Sequence, residues 1–365
     1  MEDLLYKIGI TMIPHVGPIT ARNLIAHCGS AREVFSAKKS TLMKIPSIGE
    51  RTARLVVEQK ILQQAEAEIR YIEKNKIQTF YYLDKNYPSR LRHYNDAPIL
   101  LYYRGNADLN ALRTVGIVGT RKPSPYGVQM CEEIVEGLTQ YGVTVVSGLA
   151  FGIDITAHRK CLDCQIPTIG VLGNGLLELY PPQHHHIGLK MVENGGLLTE
   201  FSHQTTPERE HFPMRNRIIS SLCDALIVVE TAKKGGSMIS AQFANDYNKD
   251  VFAVPGRIKD SFAKGCNLLI KSHRAALLES AEDLAYVMRW RAMDQERRQI
   301  QQQLFIELSP EEKIVVDLLR QNEELDIDSL TFNCKKTNSE MASLLLNLEF
   351  KGMVKSLPGK RYILI

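Results

Sequence analysis

The sequence predicts a mixed α/β protein built around a Rossmann-like, doubly wound, mainly parallel sheet, with an all-helical segment before it and a small helix-and-hairpin module after it. Three observations carry this. Short apolar runs at 115–118, 143–146, 168–172, 197–199, 225–229 and 251–254 alternate with helical stretches, the pattern of parallel strands joined by crossover helices. Glycine-rich turns follow several of those runs, where a strand must pass tightly into a helix. Near the start, a twelve-residue segment repeats at an offset of 32. At 365 residues with 44% hydrophobic content, the chain has material for two or three ordinary cores.

The repeat consists of Ile13-Pro-His-Val-Gly-Pro-Ile-Thr-Ala-Arg-Asn-Leu and Ile45-Pro-Ser-Ile-Gly-Glu-Arg-Thr-Ala-Arg-Leu-Val. Each copy resembles a helix-hairpin-helix element, in which Pro ends one helix, Gly17 or Gly49 takes the tight turn, and the next helix starts with open N–H groups. Such N–H groups hold a DNA phosphate, and Arg22, Arg51 and Arg54 add charge beside them. Paired hairpins also serve as plain packing modules, so Gly17, Arg22, Gly49 and Arg51 are accessory DNA contacts only on the first reading. Residues 1–75 are expected to form this helical domain. Residues 77–83, 87–91 and 98–104, rich in aromatic and β-branched side chains and punctuated by Pro, are expected to be strands added to the central domain.

The central domain, residues 76–288, concentrates its polar residues just after the strands, and in this topology those positions converge on one crevice. The first turn contains Gly119, Thr120, Arg121, Lys122, Ser124, Tyr126 and Gly127, with a helix beginning near Pro125. Its N–H groups would face an anion. The second turn, Ser147-Gly-Leu-Ala-Phe-Gly-Ile-Asp154, places Gly148 and Gly152 for close backbone approach and Asp154 to cap. Gly173-Asn-Gly175 follows the third strand, and the loop after the fourth ends in Phe212-Pro-Met-Arg-Asn-Arg217. Lys233-Lys-Gly-Gly-Ser237 opens a further helix. No third glycine completes the GxG and no GxxxxGK[ST] is present, so neither a nicotinamide cofactor nor ATP is expected.

These blocks together resemble the DprA/Smf family of DNA-processing proteins. The resemblance rests on Gly119-Thr-Arg-Lys-Pro-Ser-Pro-Tyr-Gly127, on residues 147–158, on Phe212-Pro-Met-Arg-Asn-Arg-Ile-Ile219, on Gly235-Gly-Ser237, and on Val251-Phe-Ala-Val-Pro-Gly256 with Lys264-Gly-Cys-Asn-Leu-Leu-Ile270. It implies a homodimeric single-stranded-DNA binder that helps load a RecA-type recombinase in natural transformation and breaks no bond. By motif position it implies that Arg121 and its loop grip phosphates and that the Ser147 hydroxyl and Gly148 let the strand pass. It further implies that Arg215, Asn216, Arg217, Gly236, Ser237, Lys264 and Asn267 line the same pocket. Phe151 stands where many relatives carry a basic residue and could stack on a base instead. Gly235 replaces a frequent Ser.

The rival reading is a nucleotide-processing enzyme that hydrolyses glycosidic bonds, with Glu200, Asp154 and Glu230 as its acids; that chemistry needs two carboxylates framing the sugar. A net charge of +4 neither proves nor forbids a nucleic-acid partner. The seven scattered cysteines argue for reduced thiols. His158-x-x-Cys161-x-x-Cys164 lacks a second ligand pair and His184-His-His186 reads as a polar helix start, so no metal is expected. With no basic n-region and no run of 18 apolar residues, a cytoplasmic protein without a membrane partner is expected. Residues 289–308 read as a charged, helical linker. In residues 309–365, Ser309-Pro-Glu-Glu caps a helix to about 319, residues 338–351 form a second and the remainder a hairpin, which resembles a winged helix. Duplex contact, protein contact and packing are its open roles, and Glu323, Glu324, Asp326 and Asp328 favour protein contact or a vestigial role over DNA.

Overall fold

A computed structural model describes residues 2–293, 308–322, 324–351, 353–357 and 360–364. Residues 1–290 form one compact unit and residues 291–365 a second. The expected helical linker falls largely on residues 294–307, outside the described residues.

The first unit opens with six helices: α1 (Glu2–Thr11), α2 (Pro18–Cys28), α3 (Ala31–Ser36), α4 (Lys39–Leu42), α5 (Glu50–Glu58) and α6 (Ile61–Lys74). The two hairpins are built alike, but their glycines do a different job from the one expected. The left-handed residues are His15 and Ser47, at φ 64° and 67°. Gly17 and Gly49 are extended N-caps of α2 and α5, at φ −82° and −85°, and a Cβ on either would meet nothing within 4 Å. The turn is therefore taken right after Pro, and the glycine leaves the helix N-terminus uncovered. The bundle does not have a core of its own: Ile8, Leu24 and Phe35 belong to the same buried cluster as Leu100, Tyr102, Leu172 and Leu197 of the sheet domain.

The sheet has nine strands in the order β1-β2-β6-β5-β4-β3-β7-β8-β9. They are β1 (Gln78–Tyr81), β2 (Leu100–Gly105), β3 (Thr114–Gly119), β4 (Thr144–Ser147), β5 (Thr168–Val171), β6 (Gly195–Thr199), β7 (Ala225–Val229), β8 (Asp250–Ala253) and β9 (Ala276–Leu277). All six expected core strands are present, from β3 to β8. They pair in parallel, whereas β1 with β2 and β2 with β6 are antiparallel. The parallel core starts at β3, winds outward through β4, β5 and β6, then returns to lay β7 on the other flank of β3, so the switch point lies between β3 and β7. Helices α7 (Pro125–Leu138), α8 (Ile153–Asp163), α9 (His185–Glu193), α10 (His211–Leu222), α11 (Gly236–Asp246), α12 (Ala263–Lys271) and α13 (Ala281–Met288) make the connections. One face of the sheet packs with α8, α9 and the bundle, the other with α10, α11 and α12.

Residues 87–91, expected as a strand, instead run into a 3₁₀ turn at Ser89–His93. Leu91 is fully buried and Arg90 forks onto Asp224 at 2.7 and 2.8 Å and onto the Ala111 and Leu112 carbonyls, so tertiary bonds replace a ladder.

In the second unit, capping boxes at Ser309/Glu312 and Thr337/Glu340 start helices Pro310–Gln321 and Asn338–Phe350. The polar stretch between them holds a further helix, Ile327–Cys334, whose N-cap Asp326 accepts from the Ser329 N–H at 2.8 Å. Strands Leu325–Asp326, Val354–Leu357 and Arg361–Leu364 make an antiparallel sheet with the last in the middle. Its own core includes Val315, Leu319, Leu330, Met341, Leu345 and Leu348. Among the described residues no helix is long and apolar enough to cross a membrane.

Candidate nucleic-acid interface

The loops after β3, β4 and β7 meet at the switch point, and two glycines let them interlock. Gly152, at φ +80°, brings its loop so close that a Cβ would lie 2.1 Å from the Thr120 carbonyl oxygen. A Cβ at Gly119 would lie equally close, 2.1 Å, to the Val229 carbonyl oxygen. Above these loops is an open cleft of about 700 Å³, lined by Gly119, Thr120, Arg121, Asp154, Arg209, Phe212, Arg215, Asn216 and the α11 N-terminus at Gly235, Gly236 and Ser237.

Its cations differ in kind. Arg121 is exposed, and its guanidinium stands 5.6 Å from the centre of the Phe212 ring. Arg215 is buried: Nε donates to Asn216 at 3.0 Å, Nη1 donates to the Val171 carbonyl, and Nη2 lies 3.8 Å from the Asp154 carboxylate. Burial pushes the Asp154 carboxyl up, an effect that Arg215 and the N–H groups of Ala150 and Gly148 oppose, and burial pushes the Arg215 guanidinium down. Arg209 on the cleft wall was not anticipated; it lies in the loop before Phe212, where no motif marks it.

Beside the cleft an aromatic slot of about 110 Å³ is lined by Phe151, Tyr180 and Phe212, with Arg121 and Arg215 also on its wall. Phe151 is 43% exposed and Tyr180 44%. Tyr180 and Phe212 have ring centres 5.9 Å apart, and Phe151 meets His184 edge-on at 4.8 Å. The arrangement offers a cation for phosphate and flat apolar faces for bases within one site.

Other expected residues are used within the fold. The Ser147 hydroxyl donates to the Ile117 carbonyl and is fully buried. A Cβ at Gly148 would sit 2.2 Å from the Arg215 guanidinium, so that glycine makes room for the arginine, and it also lines the aromatic slot. Arg217 is buried, donating to Glu200 and, at 2.6 Å, to the Asp96 carbonyl. Asn267 bridges Gly256, accepting from its N–H at 3.2 Å and donating to its carbonyl at 2.8 Å. Lys264 is exposed on α12, Tyr126 donates to the Pro255 carbonyl at 3.0 Å, and neither lines the cleft. The Ser237 hydroxyl donates to Thr231 at 2.7 Å. Ser124 caps α7, accepting from the Gly127 N–H at 3.1 Å. In the bundle, Arg22 lies 4.5 Å over the Tyr82 ring and donates to the Ala97 carbonyl at 3.2 Å, whereas Arg51 is exposed.

Of the three acids weighed for glycosidic chemistry, Asp154 lines the cleft beside Arg215, Glu200 pairs with Arg217 outside it, and Glu230 is bound by Ser124. His158 is buried against Thr168 at 2.7 Å, and among the described residues no group of three His, Cys, Asp or Glu side chains is placed to hold a metal.

Residues 78–289 match the family model for DNA recombination-mediator protein A, residues 4–59 a helix-hairpin-helix motif and residues 301–360 the DprA winged helix domain. The chain is 32% identical over 305 residues to the protein Smf of Synechocystis sp., covering 82% of this chain and 76% of that one. It is 39% identical over 212 residues to DNA processing protein DprA of Streptococcus pneumoniae, covering 58% and 74%. The X-ray structure of the Streptococcus pneumoniae protein superposes with a TM-score of 0.69 at 30% identity, over 77% of this chain and 97% of that one. DNA processing protein A of Helicobacter pylori, in a structure concerned with its single-stranded DNA binding mode, gives 0.53 at 30% identity over 58% and 95%. With more than half of its length matched by the family model, this chain belongs to the DNA recombination-mediator protein A family.

Proposed function

We propose that the protein binds single-stranded DNA along the cleft at the switch point and acts as a homodimeric mediator that passes the strand to a RecA-type recombinase, breaking no bond itself. The observation that carries the reading is Arg121: an exposed guanidinium over the Phe212 ring, at the junction of an open cleft and an aromatic slot. Phosphates would meet Arg121, Arg209 and the α11 N-terminus while bases stack on Phe151, Tyr180 or Phe212, a sequence-tolerant mode. The kinship with the Helicobacter pylori protein supports the choice of single strands over duplex. Glycosidic hydrolysis is disfavoured because Glu200 and Glu230 are engaged away from Asp154.

The test is a titration of fluorescent oligo-dT and a matched duplex across a salt series, with wild type and Arg121→Ala, beside a nucleoside-monophosphate hydrolysis assay. Wild type should prefer the single strand. Arg121→Ala should weaken binding about tenfold and flatten the log–log salt slope by about 0.7, the loss of one phosphate contact. Salt-insensitive binding together with ribose release would instead favour the enzyme.

A further inference from the structure

In folds with this strand order, the helix after the first parallel strand offers its N-terminal N–H groups to a ligand phosphate. Here that helix is α7, and its N-terminus is already occupied by the chain. The Glu230 carboxylate, only 5% exposed, accepts from the Ser124 N–H at 2.8 Å through Oε2 and from the Ser124 hydroxyl through Oε1. A Cβ on Gly127 would lie 2.3 Å from Oε2, so the first turn of α7 has been cleared for this group. Glu230 is also fixed at its backbone, at φ 50° with its carbonyl accepting from the Thr120 N–H at 2.7 Å. A buried carboxylate is thus pinned where a phosphate would dock, and it ties down the loop that presents Arg121.

We propose that Glu230 is a specificity-determining residue, an internal anion that closes the fold's nucleotide-phosphate site and turns the protein away from free nucleotides. The carboxylate already holds the Ser124 N–H and hydroxyl at the start of α7, and a second negative group cannot be seated against it, so a nucleoside monophosphate can enter only by displacing it. The inference rests on this geometry and not on the strand-binding reading.

The experiment uses the full chain and no DNA: isothermal titration and thermal melts of wild type, Glu230→Ala and Glu230→Gln with dAMP and with inorganic phosphate as probes. Glu230→Ala empties the site and should bind both probes about tenfold more tightly than wild type, with a melting temperature that rises on adding phosphate. Glu230→Gln keeps the volume but removes the charge, and should bind both probes more tightly than wild type and less tightly than Glu230→Ala. Equal binding by all three proteins, or none by any, overturns the proposal. Glu230→Ser, which also empties the site but keeps a hydroxyl beside Ser124, carries the same expectation should the alanine variant fail to fold. Oligo-dT failing to bind wild type would sink the strand reading alone, because the nucleotide measurements judge Glu230 separately.

Discussion

Gly148 and Arg215 belong together: the guanidinium lies where a side chain at 148 would be, and its charge is met by Asp154, Asn216 and the Val171 carbonyl. Arg215 was legible as a cleft residue from the Phe-Pro-Met-Arg-Asn-Arg run. Arg217 was not separable from it by motif, but two residues apart on a helix point to different faces, and the structure sends Arg217 to Glu200 and the Asp96 carbonyl. Behind the cleft, His158 yields a pH prediction. His158 Nδ1 lies 2.7 Å from the Thr168 hydroxyl, and Nε2 is buried with no hydrogen-bond partner among the described residues. Burial first, then the nearby Arg215 and His184, pushes the imidazole down to about 3. A folded-state value below the usual 6.5 means the unfolded chain binds the extra proton. Its contribution is therefore intact above about pH 6.5 and drains as pH falls toward 3. Urea titrations of wild type and His158→Gln should differ in acid-side slope by up to about 1.4 kcal/mol per pH unit between about pH 6 and 4; parallel slopes would mean that the ring is not held neutral.

At the scale of the element, the two hairpins show what a repeat reveals and what it hides. The thirty-two-residue offset identified both, and glycine was the natural choice for a tight turn. The structure instead puts the positive φ two residues earlier, on His15 and Ser47. Nothing in the residue types signals this, because a left-handed Ser or His is held by the packing of the flanking Ile13, Val16, Ile45 and Ile48, all buried. Ser47→Gly should then relieve backbone strain and raise stability by a net ~0.5 kcal/mol after the unfolded chain's gain in entropy. A melting temperature that falls on this substitution would show the turn to be strain-free. The 3₁₀ turn at Ser89–His93 was hidden for a related reason: Arg90 and Leu91 are fixed by contacts with residues more than a hundred positions away or across the core, which no local pattern encodes.

At the scale of the molecule, the order of apolar runs was enough to read the parallel core, since a strand buried on both faces and a crossover helix each leave a composition that survives without tertiary information. The bundle's attachment was not readable, because its core residues pair with Leu100, Tyr102 and Leu197, and amphipathic spacing does not say which partner a face will meet. The C-terminal unit differs in that its buried set, from Val315 to Val354, is drawn entirely from its own segments. So small a core is sensitive to a single cavity, and Leu345, a member of it that is 1% exposed, should cost about 2–5 kcal/mol when replaced by Ala. The residues that the proposed function assigns to the strand all lie before residue 290, in the other unit. Leu345→Ala should therefore separate urea unfolding into an early transition for the small unit and an unshifted one for the large unit, while oligo-dT affinity stays within about twofold of wild type. A parallel fall in both would mean that the second unit contributes to strand binding or to the stability of the first.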